Sequence, residues 1–338
     1  MRKTHRRALI AALAGGAALL AVVAFLVVRA AGEPDAPLRH LTLAAPDGVG
    51  GALAVVAAGR GYFAREGLDV ELRRMPSDTA AIELVLEGGA ELAITGDVPL
   101  SYQVVRRRRL AALATVGFSD RTHRVVARRD RGIGRPADLS GKSIGVERLS
   151  ADNVFLFLFL SQSGVPRSAV TIVPAAAADL PRALAEGRID AAALREPLAV
   201  AAERLLGDQA IRFDASHRFH QYDVLVAAPA LVSDDGDVPV RVLRALLRAE
   251  RFSRRDPAAA QAEVTSWLGP ERRDEVSAEW TRYRFEVALG RGLLIALESH
   301  ARWLTAIDPE LVGPPPDFLA LVQPGPLRRL RPERVTLR

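Results

Sequence analysis

The sequence contains no cysteine among its 338 residues. Structural disulfides, thiolate metal sites and a cysteine nucleophile are therefore excluded. A bacterial lipoprotein anchor is excluded as well, since it requires a cysteine after the export signal. The chain also lacks a phosphate-binding glycine loop, a Gly-x-Ser-x-Gly elbow and a zinc-protease motif. We therefore expect no cofactor and no catalytic metal ion.

Acidic residues are missing from the first 29 positions, where the basic residues are Arg2, Lys3, Arg6, Arg7 and Arg29. These five residues account for most of the formal net charge of +6 and leave about +1 for the rest of the chain. A nearly neutral body lacks the basic field that attracts nucleic acids. We therefore expect no nucleic-acid partner.

An uninterrupted apolar run of 20 residues, positions 9–28, follows this basic start. The run is long enough to span a bilayer and long for the core of a signal peptide. Its basic end should stay in the cytoplasm, so that the remainder is exported. Positions 28–30 (VRA) offer a cleavage site, weakened by Arg29, and positions 5–10 (HRRALI) fit the twin-arginine pattern.

Residues 1–32 are therefore predicted to be a signal peptide or a membrane anchor. Cleavage and retention both stay open, as do general and twin-arginine export. Either outcome places the rest of the chain in the periplasm or on the outer face of the cytoplasmic membrane. An uncleaved segment would add the membrane as a partner.

Short strand patterns alternate with helix patterns from residue 38 onward, and the pattern restarts after residue 119. From residue 239 the chain is predicted to be almost entirely helical, with helices at 240–254, 258–267, 274–284 and 293–307. This order favours an α/β fold in which mainly parallel sheets are flanked by helices.

The repeated pattern followed by a helical tail indicates two lobes between which the chain crosses twice. The predicted segments are 38–120 for the first part of lobe 1, 121–225 for lobe 2, and 226–338 for a helical return to lobe 1 with a C-terminal tail. A ligand of such a fold lies between the lobes, at the carboxyl ends of strands.

Four sequence blocks carry a family resemblance and occur in family order. They are residues 61–72 (GYFAREGLDVEL), 86–99 (LEGGAELAITGDVP), 138–146 (DLSGKSIGV) and 183–191 (ALAEGRIDA), the last followed by Glu196-Pro197. The set resembles the ABC transporter substrate-binding proteins for sulfonate, taurine, nitrate and thiamine precursors. The resemblance implies the type II periplasmic binding fold over most of residues 40–305.

The resemblance also implies a function. The lobes would close on a small solute and deliver it to ABC permease and ATPase subunits, with no chemical reaction and with the protein as a monomer. Two alternatives stay open. One is a protein that binds or makes a thiamine pyrimidine precursor on the same fold, although the cysteine-rich motif of that synthase is absent here. The other is a membrane-tethered sensor module.

Candidate ligand contacts lie in the loops that follow strands and at helix starts. They are Asp47, Gly48, Gly50, Ser77, Gly96, Asp97, Ser119, Ser150, Asn153, Arg195 and Glu196. Exposed backbone N–H groups at a helix start can hold an anion. For Ser77 and Ser150, a role as ordinary helix N-caps is the alternative interpretation.

Arg195 departs from the family pattern, which often has an aromatic residue before the acid and the proline. A guanidinium in the cleft would bind a sulfonate, carboxylate or phosphate in a bidentate manner. The alternative is that Arg195 points into solvent. The favoured ligand is an aliphatic sulfonate of the taurine class, with nitrate, bicarbonate and a neutral pyrimidine as alternatives.

An Arg195→Ala variant tests this hypothesis. If an anionic ligand contacts Arg195, titration calorimetry should show that the variant no longer binds it, because the only arginine among the candidate contacts is removed. Unchanged affinity would take Arg195 out of the site.

Overall fold

The computed structural model describes residues 38–214, 219–233, 236–308, 311, 313–314 and 316–337. The predicted export segment, residues 1–32, lies outside these residues. Within the described part of the chain, no helix is both long enough and apolar enough to cross a membrane.

Twelve strands of the described residues form two sheets. The strands are β1 Arg39–Pro46, β2 Leu68–Met75, β3 Leu92–Gly96, β4 Ala111–Ser119, β5 His123–Arg128, β6 Ser143–Val146, β7 Thr171–Pro174, β8 Ala191–Arg195, β9 Ala210–Asp214, β10 Gln221–Ala227, β11 Tyr283–Gly290 and β12 Val335–Thr336. The first sheet has the order β12-β11-β4-β10-β3-β1-β2, and the second has the order β7-β6-β8-β5-β9.

Helices cover both sheets. They are α1 Ala52–Gly59, α2 Asp78–Leu86, α3 Asp97–Val105, α4 Ala151–Gln162, α5 Leu180–Ala185, α6 Leu198–Leu206, α7 Pro229–Ser233, α8 Val238–Arg255, α9 Pro257–Leu268, α10 Arg273–Trp280, α11 Arg291–Ile307, α12 Phe318–Leu321 and α13 Pro324–Leu330. The central strands β3 and β8 are apolar and buried along almost their whole length, as expected for strands covered on both faces.

Glycine allows close packing in the second sheet. A Cβ added to Gly145 of β6 would lie 2.6 Å from side-chain carbons of both Leu180 and Ile189. Because only a residue without a side chain leaves that space, α5 and the turn after it can pack directly on the sheet.

The predicted two-lobed α/β fold is confirmed, and both sheets are mixed. β1 pairs with β3 in parallel, and β6 pairs in parallel with β7 and β8. The crossing strands run the other way, since β10 is antiparallel to β3 and β4, and β5 is antiparallel to β8 and β9. A strand that arrives directly from the other lobe enters its sheet from the opposite end. The predicted boundary at residue 225 falls within β10, which pairs in the first sheet.

The prediction of an almost entirely helical tail is wrong at β11. The predicted helix 274–284 ends at Trp280 in α10, and Tyr283–Gly290 is a strand that pairs antiparallel with β4. Side chains of β11 alternate between more and less buried, which is the period of a strand. Arg, Glu, Ala and Leu in this segment favour helix locally, and pairing with β4 overrides that preference.

A buried carboxylate fixes β11 and the C-terminal segment to lobe 1. Glu250 of α8 is completely buried and accepts hydrogen bonds from Val287 N at 3.0 Å and Arg334 Nη1 at 2.6 Å. Arg254 lies 3.2 Å from its second oxygen. The charge of Glu250 is therefore compensated by groups from three segments.

Replacement of Glu250 tests this connection. Glu250→Ala leaves the half-buried Arg334 partly unpaired and removes a fully buried ion, so it should lower the free energy of unfolding by about 3 kcal/mol in urea titrations followed by circular dichroism. Glu186→Ala is the matched control, because Glu186 also pairs with two arginines, Arg182 and Arg188, but on the surface. An equal loss in both variants would contradict the role of Glu250.

Candidate functional site

Two adjoining cavities lie where the carboxyl ends of strands from both lobes meet. The larger has a volume of ≈ 480 Å³ and the smaller ≈ 30 Å³. Asp47, Asp78, Arg195, Glu196 and Pro197 line both of them. Asp47 follows β1, Asp78 begins the helix after β2, and Arg195 ends β8. This is the position in which open α/β sheets bind ligands.

Most of the predicted contacts lie at this cleft. The smaller cavity is lined by Asp47, Gly48, Gly50, Ser119, Arg195 and Glu196. The larger one shares Asp47, Arg195 and Glu196 and adds Ser77 and Ser150. Gly96, Asp97 and Asn153 do not line either cavity.

Asp97 is turned into lobe 1. It is fully buried at the start of α3, where its Oδ2 accepts a hydrogen bond from Tyr222 N at 3.2 Å and lies 3.3 Å from His300 Nε2. Its carboxylate therefore joins α3 to β10 and α11. The preceding Gly96 contributes space, because a Cβ there would lie 3.4 Å from Asp78 Oδ2.

Asn153 lines a separate cavity of ≈ 290 Å³, together with Phe157 and Trp303. Its backbone N–H donates to Ser150 Oγ at 3.2 Å, which starts α4. Ser77 likewise accepts from Ala80 N at 3.1 Å and starts α2. Both serines thus cap helices while they line the larger cavity.

Arg195 faces the cleft and forms an ion pair that joins the lobes. Its Nη1 lies 3.0 Å from Oδ2 of Asp78, which belongs to lobe 1. About a third of the Arg195 side chain is exposed, at 32%. The carboxylate of Asp78 raises the pKa of Arg195 above its already high ordinary value, so the guanidinium is always charged.

Glu196 is an internal structural ion and does not present a free charge. It is 3% exposed and contacts the guanidinium groups of Arg124 in β5 and Arg282 before β11. Its backbone N–H donates to Thr122 O at 3.0 Å. These contacts fix the end of β8 at the place where the chain passes from β4 to β5. Burial lowers the pKa of Arg282.

Several acidic residues of the cleft are absent from the sequence-based candidates. Asp223 of β10 is 1% exposed, and its Oδ2 has no hydrogen-bond partner among the described residues. Glu279 of α10 is also buried and lines the same smaller cavity. The available signal was the alternation of Gln221 and Asp223 in an otherwise apolar strand, which places both on one face.

Burial shifts the pKa of these groups. It raises the pKa of Asp223 well above its ordinary value, and it raises those of Glu279 and Asp152 to about 7 each, while Arg195 opposes the shift. Burial lowers the pKa of His123, which lies 3.6 Å from Asp152, to about 3. The cleft thus holds carboxyl groups that titrate near neutrality. Among the described residues, no group of three or more metal-ligating side chains is placed to hold a metal ion.

Glu279 should make the stability of the unliganded protein depend on pH. Its folded pKa of about 7 lies above the unfolded value near 4.5, so the unfolded state loses its proton first as pH rises. This group therefore destabilises the fold progressively from about pH 4.5 to about pH 7, by on the order of 3 kcal/mol.

Urea titrations at several pH values check this sign. Glu279→Gln should remove the part of the fall in unfolding free energy that Glu279 causes. The variant should therefore gain stability relative to the natural protein as pH rises. The exposed Glu87→Gln variant is the control and should follow the natural protein. Parallel curves for Glu279→Gln and the natural protein would contradict the assignment.

Comparisons with known proteins agree with this architecture. The family model described as NMT1/THI5 like matches residues 52–260, which is more than half of the chain. A binding protein of Brucella abortus is 28% identical over 149 residues, which cover 44% of this chain and 45% of that protein. The chain therefore spans less than half the length of this relative.

Two solved structures show the shared fold. The alkanesulfonate-binding protein SsuA from Xanthomonas axonopodis pv. citri, bound to MOPS, superposes with a TM-score of 0.69 at 19% identity, covering 86% of this chain and 100% of its own. The desulfurization enzyme DSZB superposes with a TM-score of 0.66 at 18% identity, covering 88% and 100%. The resemblance seen in the sequence blocks is confirmed, and the chain belongs to the NMT1/THI5-like family.

Proposed function

We propose that this protein is the extracytoplasmic solute-binding component of an ABC importer. It captures a small solute between its lobes and delivers it to a permease. The observation that carries the proposal is the charged cleft, which is built from both lobes at the carboxyl ends of their strands. Small-molecule sites of α/β proteins occur at this place.

The connections between the lobes support binding by closure. β4 leads into β5 within a few residues, from Ser119 to His123. The returning strand β10 pairs with β4 in register at Gln221 and Ser119. The short crossing from β4 to β5 is a suitable hinge, because a change in a few backbone torsions there would rotate one lobe against the other.

For the class of solute, the favoured proposal is a small acid of the aliphatic sulfonate or taurine type, with nitrate and bicarbonate as alternatives. Arg195 supports it, since its guanidinium lines both cavities and has five N–H donors. One terminal nitrogen faces Asp78, which leaves other donors for a ligand oxygen.

Turnover is the competing function, because the fold is shared with a desulfurization enzyme. Binding and catalysis differ in what happens to the solute. A binding protein returns the compound unchanged, whereas an enzyme consumes it, so nuclear magnetic resonance spectra of the incubated compound separate the two.

A ligand panel tests the proposed function. The full chain, purified in detergent, is heated with sulfonates, amino-sulfonates, nitrate, bicarbonate and pyrimidines. A solute at about 100 times its Kd should stabilise the protein by roughly 2.7 kcal/mol, a shift of several degrees. We expect a response to one chemical class and an unchanged compound after incubation.

The matched variants for this panel are Arg195→Ala and Arg135→Ala. Arg135 is also an arginine of lobe 2, but its side chain is 78% exposed and lies outside the cavities. Arg195→Ala should lose the response to an acid, and Arg135→Ala should keep it. Consumption of the solute, or no response to any class, would argue against a binding protein.

A further inference from the structure

Acidic residues outnumber basic residues around the smaller cavity. Five acids line it, and the basic residue among its lining groups is Arg195. The acids are Asp47, Asp78, Glu196, Asp223 and Glu279. Carboxyl groups therefore outnumber basic side chains at this cavity.

Three of these acids already have basic partners. Glu196 contacts two arginines, Asp47 contacts Arg272, and Asp78 Oδ2 contacts Arg195. The ion pairs compensate the desolvation of each charge. The carboxyl groups of Asp223 and Glu279 are the two that remain outside these ion pairs.

Asp223 is placed as an open acceptor. Gly96 and Gly117 occupy the paired positions on its two neighbouring strands, so neither strand places a side chain directly beside it. On its third side, a Cβ added to Gly50 would lie 3.1 Å from Oδ2. Glycines thus surround a carboxylate whose Oδ2 lacks a hydrogen-bond partner among the described residues.

A buried carboxylate oxygen without a donor costs free energy, which a positively charged donor would offset. We infer that the solute bound in this cleft carries a protonated nitrogen that lies beside Asp223, with Glu279 and Asp78 as the neighbouring carboxylates. This inference rests on the proposed solute-binding function and specifies the chemistry of the solute. An acidic group on the same solute would face Arg195.

The affinity for a positively charged solute should depend on pH with a definite sign. Asp223 faces Asp78 and Asp97 of lobe 1, Glu279 of α10, and Arg195 of lobe 2. Its carboxyl group must be ionised to hold a cation, so binding expels protons and affinity rises with pH. An anion held by protonated carboxyl groups would instead take up protons on binding, and its affinity would fall as pH rises.

The test compares compounds that differ by one amino group. The pairs are 2-aminoethanesulfonate with ethanesulfonate, 4-aminobutanoate with butanoate, and benzylamine with benzyl alcohol. Calorimetry on the full chain should show that the aminated member of at least one pair binds roughly ten- to hundred-fold more tightly. The first two pairs report a zwitterion, and the third reports a simple cation.

Two variants locate the nitrogen. Asp223→Asn keeps the shape of the carboxylate and should remove the advantage of the amino group. Gly50→Ala should weaken binding of the aminated compound, because its methyl group approaches Oδ2. Asp69→Asn, at a side chain that is 61% exposed, is the control and should bind as the natural protein does.

Titrations at about pH 5.5 and about pH 8, in buffers of different ionisation enthalpy, report the proton count. Release of protons and tighter binding at the higher pH support the inference. Binding of the unaminated acids alone, with uptake of protons, overturns it and leaves the proposed function in place. A response to Ca²⁺ or Zn²⁺ but to no amine also overturns it. No response to any compound overturns both.

Discussion

The ion cluster around Glu196 is the constraint on which the cleft depends. A buried carboxylate is tolerated only when its charge is compensated, and Arg124 and Arg282 supply that compensation from two different parts of the chain. The cluster fixes the end of β8 beside the first crossing between the lobes. Arg195, the preceding residue, is thereby held at the cleft, where it reaches Asp78.

The ion pair of Arg195 and Asp78 connects this cluster to the other lobe across the cleft. One partner belongs to each lobe, so separation of the lobes would expose both charges to water, and the proposed solute would meet this pair in the cleft. Asp223 and Glu279 add two carboxyl groups to the smaller cavity, and burial raises the pKa of both. Under the proposed function, the cleft would therefore select a solute by the balance of its charge as much as by its size.

Sequence patterns predicted the order of strands and helices well as far as β10, because each element there carries its own apolar period and its own turn residues. They failed at β11, where residues with helical preference pair with β4. They predicted Arg195 as a candidate contact but not Asp223, and both line the smaller cavity. An aspartate within an apolar strand marks one face of the strand but not a ligand contact, and the proposed role of Asp223 depends on glycines that other strands place around it.

By itself, the sequence determined the fold class, the family and the absence of thiol chemistry, since these follow from local periodicity, ordered motifs and composition. The tertiary structure decided which charges meet. Asp78, Asp223 and Glu279 are far apart in the chain and come together only because β10 returns to the first sheet and α10 packs beside β11. Electrostatic balance in a buried cleft is a property of distances between such segments, and those distances are set by packing of the whole fold.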